Sequence, residues 1–414
     1  MGEASDLLSA ISGRGCGILR GMEQEEFIQL FKPSFGEEEL EALREPFRKG
    51  WIGLGPKTAE FEERFADFTG AAHAVAMNSA TAALHLALAA FKIGPGDEVL
   101  VPAITFISTA HAVLYVGATP VIVDVCPDTL CMDVEDMERK IGGRTKAVIP
   151  MHYGGHPCEM DEILAIARQR GLIVIEDAAH ACGAEYRGRR IGSIGDATCF
   201  SFQAVKNLAV GDGGMITTDH LEIVRSLKKL RWLGIDRSTW DRTEEAELQL
   251  ESGIRRYAAY SWYYEVHELG YKYHMNDIAA AIGIVQLEKL GRNNARRREL
   301  VQRYTRAFRG TGWIEPPVEK EHVRSAHHNY VIKTDSRDAL NLFLKDRRIA
   351  SGVHYMPVHL HPYYRTRIEA HAPTAELVWT KLLTLPLYPG LTDAQAEFII
   401  DSVISFTPRG GTQQ

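Results

Sequence analysis

Four short apolar segments between positions 98 and 179 constrain the fold of this chain more than any other feature. They read EVLVPAITF, TPVIVDV, KAVIPMHY and LIVIEDAA, and each is bounded by Gly, Pro or Asp. Amphipathic segments such as DEILAIARQRG separate several of them. Strands that are apolar on both faces and alternate with helices typically form a parallel sheet covered on both sides. The pattern therefore predicts an α/β fold built on a mainly parallel sheet.

Further segments extend this pattern in both directions. The strongly apolar NSATAALHLALAAFKIG predicts a helix from about Thr81 to Phe91, and a long helix is expected from about Asn276 to Phe308. The strand-like runs ATCFSF and GGMITTD are joined by a segment too short for a crossover helix, so one edge of the sheet is expected to run antiparallel there. The stretch 232–273, rich in Trp, Tyr and charged residues, is interpreted as an excursion from the core.

These elements divide the chain into three parts. Residues 1–26 are expected to form a poorly ordered tail. Residues 27–275 are expected to form a large domain, in which helices flank the sheet. Residues 276–414 are expected to form the bridging helix and a smaller C-terminal α+β domain. A chain of 414 residues is long enough for this organisation.

Charge, hydropathy and cysteine content exclude several classes of protein. Lys+Arg 47 against Asp+Glu 54 gives a formal net charge of −7, which is not the overall charge of a nucleic-acid-binding protein. No apolar run approaches the roughly 20 residues that cross a bilayer, so no membrane association is expected. Six cysteines without a C-x-x-C pair indicate reduced thiols in a cytoplasmic protein.

Two histidine clusters carry metal-ligand side chains at short spacing. Their members are His152, His156 and Cys158 in the first cluster and His354, His359 and His361 in the second. Neither spacing matches a closed zinc pattern. The sequence therefore predicts no metal site.

Two ionisable residues occupy positions where α/β sheets bind ligands. Asp177 ends the strand LIVIED, and ligands bind at the carboxyl ends of the strands in such sheets. A carboxylate there either caps a helix or pairs with a buried cation. Lys206 lies on the connection FSFQAVKN. In apolar surroundings a lysine either extends to solvent or has a lowered pKa that makes it an amine nucleophile.

Two further elements lie at the start of the apolar helix and at the end of the next strand. Residues 78–81 (Asn-Ser-Ala-Thr) begin the apolar helix, where free backbone N–H groups and hydroxyls form an anion site or an ordinary cap. Phe106 ends the strand EVLVPAITF and either stacks on a planar ring or fills the core. One ligand accounts for all four elements, because pyridoxal 5′-phosphate is a planar, cationic, phosphorylated aldehyde.

The chain resembles the DegT/StrS family of nucleotide-sugar aminotransferases from about residue 28 onward. The blocks that carry the resemblance include NSATAALHLAL, GDEVLVPAITFISTAHAVLYVGATPVIVDV, IEDAAHACGAEYRGRRIGSIGDATCFSFQAVKN, GDGGMITTD, GYKYHMNDIAAAIGIVQLEKL and GVHYMPVHLHPYY. The resemblance implies an aspartate-aminotransferase-like fold of type I. It also implies a homodimer whose active sites lie at the subunit interface.

The resemblance assigns roles to individual residues. Lys206 takes the place of the lysine that forms a Schiff base with pyridoxal phosphate, and Asp177 takes the place of the partner of the pyridinium nitrogen. The other implied cofactor contacts are Ala80, Thr81, Phe106, His180, Ser201, Gln203 and His274. Gln203 stands where many members have His, and His274 where some have Asn or Arg. The segment GYKYHMND resembles the part of the partner subunit that reaches the cofactor phosphate.

The implied activity is transfer of an amino group from an amino acid, L-glutamate, to a nucleotide-linked keto-deoxysugar. His354, Tyr355 and His359 resemble a loop on the sugar side, although surface histidines are an equal alternative. A keto-cyclitol aminotransferase and a non-catalytic regulator with the same fold are the alternative functions. Retention of Lys206, Asp177 and Ser201 together argues against the regulator. Retention of the lysine also disfavours the family's sugar dehydratases, which carry histidine in its place.

Overall fold

The computed structural model describes residues 27–236 and 262–408 of the chain. The predicted tail at residues 1–26 lies outside the described residues, and so does most of the predicted excursion at 232–273. Within the described ranges, no helix is both long enough and apolar enough to cross a membrane.

A mixed sheet of seven strands forms the centre of the molecule, as the apolar segments predict. Its strands are β1 (His73–Met77), β2 (Glu98–Pro102), β3 (Thr119–Val123), β4 (Thr145–Val148), β5 (Ile173–Asp177), β8 (Ala197–Ser201) and β9 (Gly214–Thr218). They lie in the order β1-β9-β8-β5-β4-β2-β3. The pairs from β8 through β3 are parallel. The mainly parallel α/β architecture is therefore confirmed.

The antiparallel part of the sheet lies one strand further in than expected. Strand β9 runs antiparallel to both of its neighbours, β8 and β1, so that β1 rather than β9 forms the edge. The sequence of β1, HAVAM, is short and rich in Ala, which is depleted in strands, and it therefore gives a weak strand signal. The connection between β8 and β9 is the segment that carries Lys206.

Helices cover both faces of this sheet and form much of the rest of the chain. They are α1 (Glu37–Lys49), α2 (Pro56–Thr69), α3 (Ala80–Ala90), α4 (Ile107–Tyr115), α5 (Val134–Arg139), α6 (Met160–Arg170), α7 (Leu221–Leu230), α8 (Asp277–Phe308), α9 (Arg337–Asp346), α10 (Pro362–Arg365), α11 (Pro373–Val378) and α12 (Asp393–Ser405). Helix α3 is the predicted apolar helix. It packs against β5, β8 and β9, which explains why it is apolar on nearly every side.

The predicted long helix is α8, which begins at Asp277, one residue after the predicted start at Asn276. The Asn276 side chain accepts a hydrogen bond from the backbone N–H of Ala279 and so caps the helix. The first helical residue, Asp277, is buried and accepts hydrogen bonds from the backbone N–H groups of Lys57 and Thr58. One carboxylate thus joins the start of α8 to the start of α2.

A second hydrophobic core forms around the carboxyl-terminal half of α8. It contains residues of α9, α12 and the antiparallel pair β11 (Tyr330–Lys333) and β12 (Leu382–Leu385). Ile28, near the start of the described chain, also packs into this core and pairs with Ile349. The remaining strands, β6 (Glu185–Tyr186), β7 (Arg189–Arg190) and β10 (Val323–Arg324), form a small separate sheet.

Candidate active site

The candidate site lies at the carboxyl ends of β5 and β8. Asp177 is the last residue of β5 and pairs in register with Cys199 of β8, two residues before Ser201 ends that strand. The loop that carries Lys206 begins directly after Ser201. The sheet therefore brings together three residues that the sequence predicts for one site.

Asp177 is 2% exposed and is held by hydrogen bonds on both oxygens. Thr109 Oγ1 donates to Oδ2 at 2.7 Å, and the backbone N–H of Ala179 donates to Oδ1 at 3.1 Å. Burial raises the pKa of this carboxyl, while these donors and the charge of Lys206 oppose the increase. The sequence left open a helix cap or a cation partner. Its oxygens accept hydrogen bonds from a turn N–H and from a side chain of α4, and a buried carboxylate held in this way is suited to pairing with a cation.

Lys206 does not behave as a surface lysine. Its backbone N–H donates to Gln203 O at 2.8 Å, which closes a turn just after β8. Its Nζ lies 3.4 Å from Nε2 of His328. Burial lowers the lysine pKa to about 8, and the negative charge of Asp177 acts in the opposite direction. A lysine with this pKa is partly neutral near physiological pH and can therefore act as a nucleophile and base.

The amino terminus of α3 forms a concave surface suited to an anion, which we call the anion cup. Ser79 caps this helix by accepting a hydrogen bond from Ala82 N. The N–H groups of Ala80 and Thr81 have no partner inside the helix, because the first N–H groups of an α-helix have no preceding turn to bind. Gly214 allows the backbone to approach closely, because a Cβ at that position would lie 2.5 Å from the carbonyl of Ser79. Ser201 pairs in register with Gly214. The Ser201 hydroxyl and the start of α3 therefore converge.

Phe106 stands at the mouth of the site. It is the residue before α4, and it is 52% exposed, so it does not fill the core. Its ring centroid lies 5.8 Å from that of Tyr355. An exposed aromatic ring beside a buried polar site is suited to stacking on a planar ligand.

His180 links Tyr355 to the interior of the site. Its Nδ1 accepts a hydrogen bond from Gly154 N at 3.3 Å, so that Nε2 carries the hydrogen and faces the Tyr355 hydroxyl at 3.2 Å. The His180 ring lies 4.3 Å from that of His328. Burial keeps the pKa of His180 well below its usual value, so the ring is neutral.

Gln203 and His274 lie at the edges of the site. Gln203 is exposed, and its Oε1 accepts a hydrogen bond from Val205 N. The His274 ring lies 4.4 Å from the Trp232 ring, and burial lowers its pKa to about 4. The backbone of His274 pairs with Met77, which places this segment beside the anion cup of its own chain.

The three residues expected on the sugar side have different surroundings. Tyr355 contacts His180, and the pKa of His354 is lowered to about 4 by burial and by the charge of Lys206. His359, in contrast, is buried against Glu376, with its Nε2 3.0 Å from a carboxylate oxygen. The structure thus brings His354 and Tyr355 to the Lys206 region but pairs His359 elsewhere.

The histidines of the first cluster form hydrogen bonds with other groups of the protein. Both ring nitrogens of His152 are used, one with Glu176 at 2.9 Å and one with the N–H of Cys158 at 3.1 Å. His156 Nε2 accepts from the N–H of Lys320. These histidines therefore act as hydrogen-bonding groups of the interior.

Sequence reasoning did not identify Thr109 and His328 as site residues. Thr109 lies three residues after Phe106, in the first turn of α4, and that spacing is a signal that could have placed its hydroxyl near the same edge. His328 precedes β11, far from Asp177 and Lys206 in sequence. Only the paired histidines of AHHNYVIK mark it.

The chemistry of these residues fits pyridoxal phosphate. A buried carboxylate suits the cationic ring nitrogen, the start of α3 suits the phosphate, and an amine of lowered pKa suits the aldehyde. The mainly parallel mixed sheet flanked by helices, shared with solved pyridoxal-phosphate aminotransferases, places the chain in the fold type I class of pyridoxal-phosphate-dependent enzymes.

Within that class, the chain belongs to the DegT/DnrJ/EryC1/StrS aminotransferase family, whose model matches residues 33–404. It is 43% identical over 391 residues to the spore coat polysaccharide biosynthesis protein SpsC of Bacillus subtilis, covering 92% of this chain and 97% of SpsC. The family and its structural neighbours are pyridoxal-phosphate-dependent sugar aminotransferases, and this chain is a pyridoxal-phosphate-dependent aminotransferase.

Two solved structures share the fold over most of their length. The aminotransferase TlmJ from Streptoalloteichus hindustanus is 35% identical, with a TM-score of 0.83 over 91% of this chain and 98% of TlmJ. Spr1654 from Streptococcus pneumoniae, solved in its PMP form, is 33% identical, with a TM-score of 0.84 over 91% of this chain and 98% of its own. The predicted aspartate-aminotransferase-like fold is therefore confirmed.

Proposed function

We propose that this enzyme transfers the amino group of L-glutamate to a nucleotide-linked keto-deoxysugar in amino-sugar biosynthesis. Lys206 carries pyridoxal phosphate and serves as the catalytic amine, and Asp177 pairs with the ring nitrogen. The observation that carries the proposal is the position of Lys206, which follows β8 at the same sheet edge as Asp177, with its Nζ 3.4 Å from Nε2 of the buried His328. Burial lowers the pKa of Lys206 to about 8 while a buried carboxylate interacts with it electrostatically. Shifted pKa values with a specific charged partner are concentrated at functional sites.

The remaining cofactor contacts follow from the geometry of the sheet edge. The N–H groups of Ala80 and Thr81 and the hydroxyl of Ser201 bind the phosphate, because they converge through the close approach at Gly214. Phe106, at the exposed mouth of the site, and His180, in its buried interior, would both help to hold the cofactor ring. Gln203 and His274 complete the margin of the site.

When bound, pyridoxal phosphate supplies an aldehyde carbon that exchanges amines and a ring that takes up negative charge from the substrate carbon. Asp177 stabilises the positive charge on the ring nitrogen, and the Thr109 hydroxyl orients that carboxylate. The Lys206 amine would accept a proton at Nζ from the substrate carbon and would return it later in the reaction. Reaction of one substrate before the other binds makes the kinetics ping-pong.

The sugar is bound on the side of Tyr355 and His354. The Tyr355 hydroxyl accepts a hydrogen bond from the Nε2–H of His180, and its ring faces Phe106. Tyr355 thus lies next to two of the proposed cofactor contacts. His359 stabilises this loop through its hydrogen bond with Glu376. We infer that Tyr355 and His354 contact the acceptor directly and that His359 acts through the loop.

The assembly that fits this proposal is a homodimer with active sites at the subunit interface. The half-exposed rings of Tyr115 and Tyr363, each 6.0 Å from the His111 ring, support it, since clustered exposed apolar side chains mark interaction surfaces. The proposed division of the chain keeps a large domain at 27–275 and a helix with a small domain at 276–414. A cytoplasmic location completes the proposal.

A screen of nucleotide-linked keto-deoxysugars tests this function. The purified protein is incubated with L-glutamate and each candidate, and the amino sugar is detected by mass together with released 2-oxoglutarate. Lys206→Ala is expected to abolish both products, while Lys228→Ala, which changes an exposed lysine on α7, retains them. Amination of a keto-cyclitol instead of any sugar would favour the alternative substrate. Binding of pyridoxal phosphate without amination of any acceptor would contradict the proposal.

A further inference from the structure

A directed chain of hydrogen bonds leads from the backbone to the Lys206 amine. Its first member is Asn207, whose Nδ2 donates to Ala326 O and to Asn294 Oδ1, each at 2.8 Å. A backbone carbonyl can only accept, so the amide orientation of Asn207 is determined. Asn294 is oriented in the same way, because its Nδ2 donates to Cys182 O at 3.0 Å.

The orientation of Asn207 decides the tautomer of His328. With Nδ2 directed at Ala326, the Oδ1 of Asn207 faces His328 Nδ1 at 3.1 Å. An amide oxygen can only accept, so Nδ1 of His328 must carry the hydrogen. In a neutral ring the other nitrogen, Nε2, then bears a lone pair, and this lone pair is directed at Lys206 Nζ at 3.4 Å.

The surroundings of His328 keep its ring neutral. The residue is 2% exposed and stacks on Phe31 at 5.5 Å. The groups that face it are Lys206, His180, His354 and Arg297, with Asp177 and Tyr355 behind Lys206 and His180. Burial and the positive neighbours keep its pKa well below the usual value.

Arg297 strengthens this effect. It is 2% exposed, its NH1 donates to the carbonyl oxygens of His328 and Leu387, and no carboxylate lies within ion-pair distance of it in the described part of the chain. Its positive charge therefore remains uncompensated next to the backbone of His328. A second positive charge on the imidazole would be strongly disfavoured there.

We propose that His328 is a positioning residue for the catalytic lysine. Held by Asn207 as the neutral Nδ1–H tautomer, it accepts a hydrogen bond from the free Lys206 amine at Nε2. It thereby aims the amine and stabilises its ammonium form after the amine has taken a proton from the substrate carbon. His328 itself neither gains nor loses a proton. This inference rests on the proposed role of Lys206.

Nitrogen NMR of the ring tests the tautomer directly. The holoenzyme is labelled with ¹⁵N-histidine, and the His328 signals are assigned by their loss in His328→Gln. The expected result is a neutral ring with hydrogen on Nδ1 between pH 6 and 9. An Nε2–H tautomer or a charged ring in the wild-type protein would overturn the inference without any further variant.

The variants Asn207→Leu and Asn294→Leu test the origin of the tautomer. Asn207→Leu removes the acceptor at Nδ1 and is expected to give a mixture of tautomers. Asn294→Leu is the matched control, because Asn207 stays oriented by Ala326 O. The control is expected to keep the Nδ1–H signal. A tautomer unchanged by Asn207→Leu would contradict the role of Asn207.

The pKa of the lysine gives a readout that does not depend on turnover. In the pyridoxamine form of the holoenzyme Lys206 is a free amine, and its carbamylation by cyanate is followed against pH by peptide mass. His328→Phe removes the acceptor and is expected to lower the lysine pKa by about one unit. His328→Gln retains an acceptor and should restore most of it. Equal pKa values in the wild type and His328→Phe would overturn the inference, whereas wild-type protein that binds no cofactor would instead refute the proposed function.

Discussion

The hydroxyl of Thr109 donates a 2.7 Å hydrogen bond to Oδ2 of Asp177, which joins the first turn of α4 to the end of β5. Thr105 Oγ1 lies 2.6 Å from the Thr109 hydroxyl. Because Thr109 gives its hydrogen to the carboxylate, Thr105 must donate to Thr109. Two threonines thus orient the Asp177 carboxylate at the ligand-binding edge.

Replacement of Thr109 by Val is expected to weaken cofactor binding. The variant keeps the shape of the side chain but removes a hydrogen bond to a charged group, which contributes about 1.5–3 kcal/mol. The dissociation constant of pyridoxal phosphate, measured by absorbance titration, should rise at least about tenfold. Thr109→Ser retains the hydroxyl and should bind nearly as the wild type does. Equal affinities of the Val and Ser variants would contradict the account of Asp177.

Replacement of Phe106 by Leu should lower cofactor affinity without destabilising the fold. The ring is half exposed, so its loss removes little packing, whereas aromatic stacking contributes about 0.5–1.5 kcal/mol beyond burial. The dissociation constant should rise about three- to tenfold. Phe47→Leu, at an exposed position on α1, is the control and should leave it unchanged. A large drop in unfolding free energy for Phe106→Leu would show that the ring belongs to the core.

The protein should lose stability as the pH falls below about 6.5. His85 is 4% exposed, and neither of its ring nitrogens has a hydrogen-bond partner within the described residues. Burial lowers its pKa, so the unfolded state binds the proton more readily and stability rises with pH through this range. The free energy of unfolding is therefore expected to be lower at pH 5.5 than at pH 7.5.

Urea unfolding at pH 7.5 and 5.5 measures this loss. His85→Phe, which keeps an aromatic ring between Tyr115 and Tyr271, should reduce the difference between the two pH values. A pH dependence identical in the wild type and the variant would exclude His85 as a source of acid sensitivity.

Replacement of Asp277 by Ala is expected to destabilise the protein by about 2–4 kcal/mol. The carboxylate accepts from the N–H groups of Lys57 and Thr58 and from the Thr58 hydroxyl, and these donors are left without an acceptor in the variant. Urea unfolding gives the change in free energy. Asp277→Asn retains one acceptor oxygen and should lose about half as much. A loss below about 0.5 kcal/mol in the Ala variant would show that water replaces the cap.

The sequence predicts the sheet and its two main helices because their signals are local. The segments that form β2 to β5 and α3 are apolar along nearly their whole length. Their composition alone therefore predicts that they are buried. The position of β1 is different, since five residues rich in Ala become an edge strand only by pairing with β9. The displacement of the antiparallel strand follows from that tertiary pairing.

Some residues of the candidate site are likewise predictable from local sequence, and others are not. Asp177 and Lys206 are marked by their positions at strand ends, and the structure brings them together. The chain from Asn294 through Asn207 to His328 joins three distant segments, so no spacing in the sequence indicates it. The short spacing groups His359 with His354, but His359 lies in a short 3₁₀ turn at Val358–Leu360 and contacts Glu376.

The most direct test of the account is the identity of the amine that carries the cofactor. The holoenzyme is treated with borohydride to make the bond between pyridoxal phosphate and its lysine permanent, and the digested protein is analysed by peptide mass. The account predicts one modified peptide, with the cofactor on Lys206. A cofactor found on any other lysine, or no modified peptide from a protein that binds pyridoxal phosphate, would contradict it.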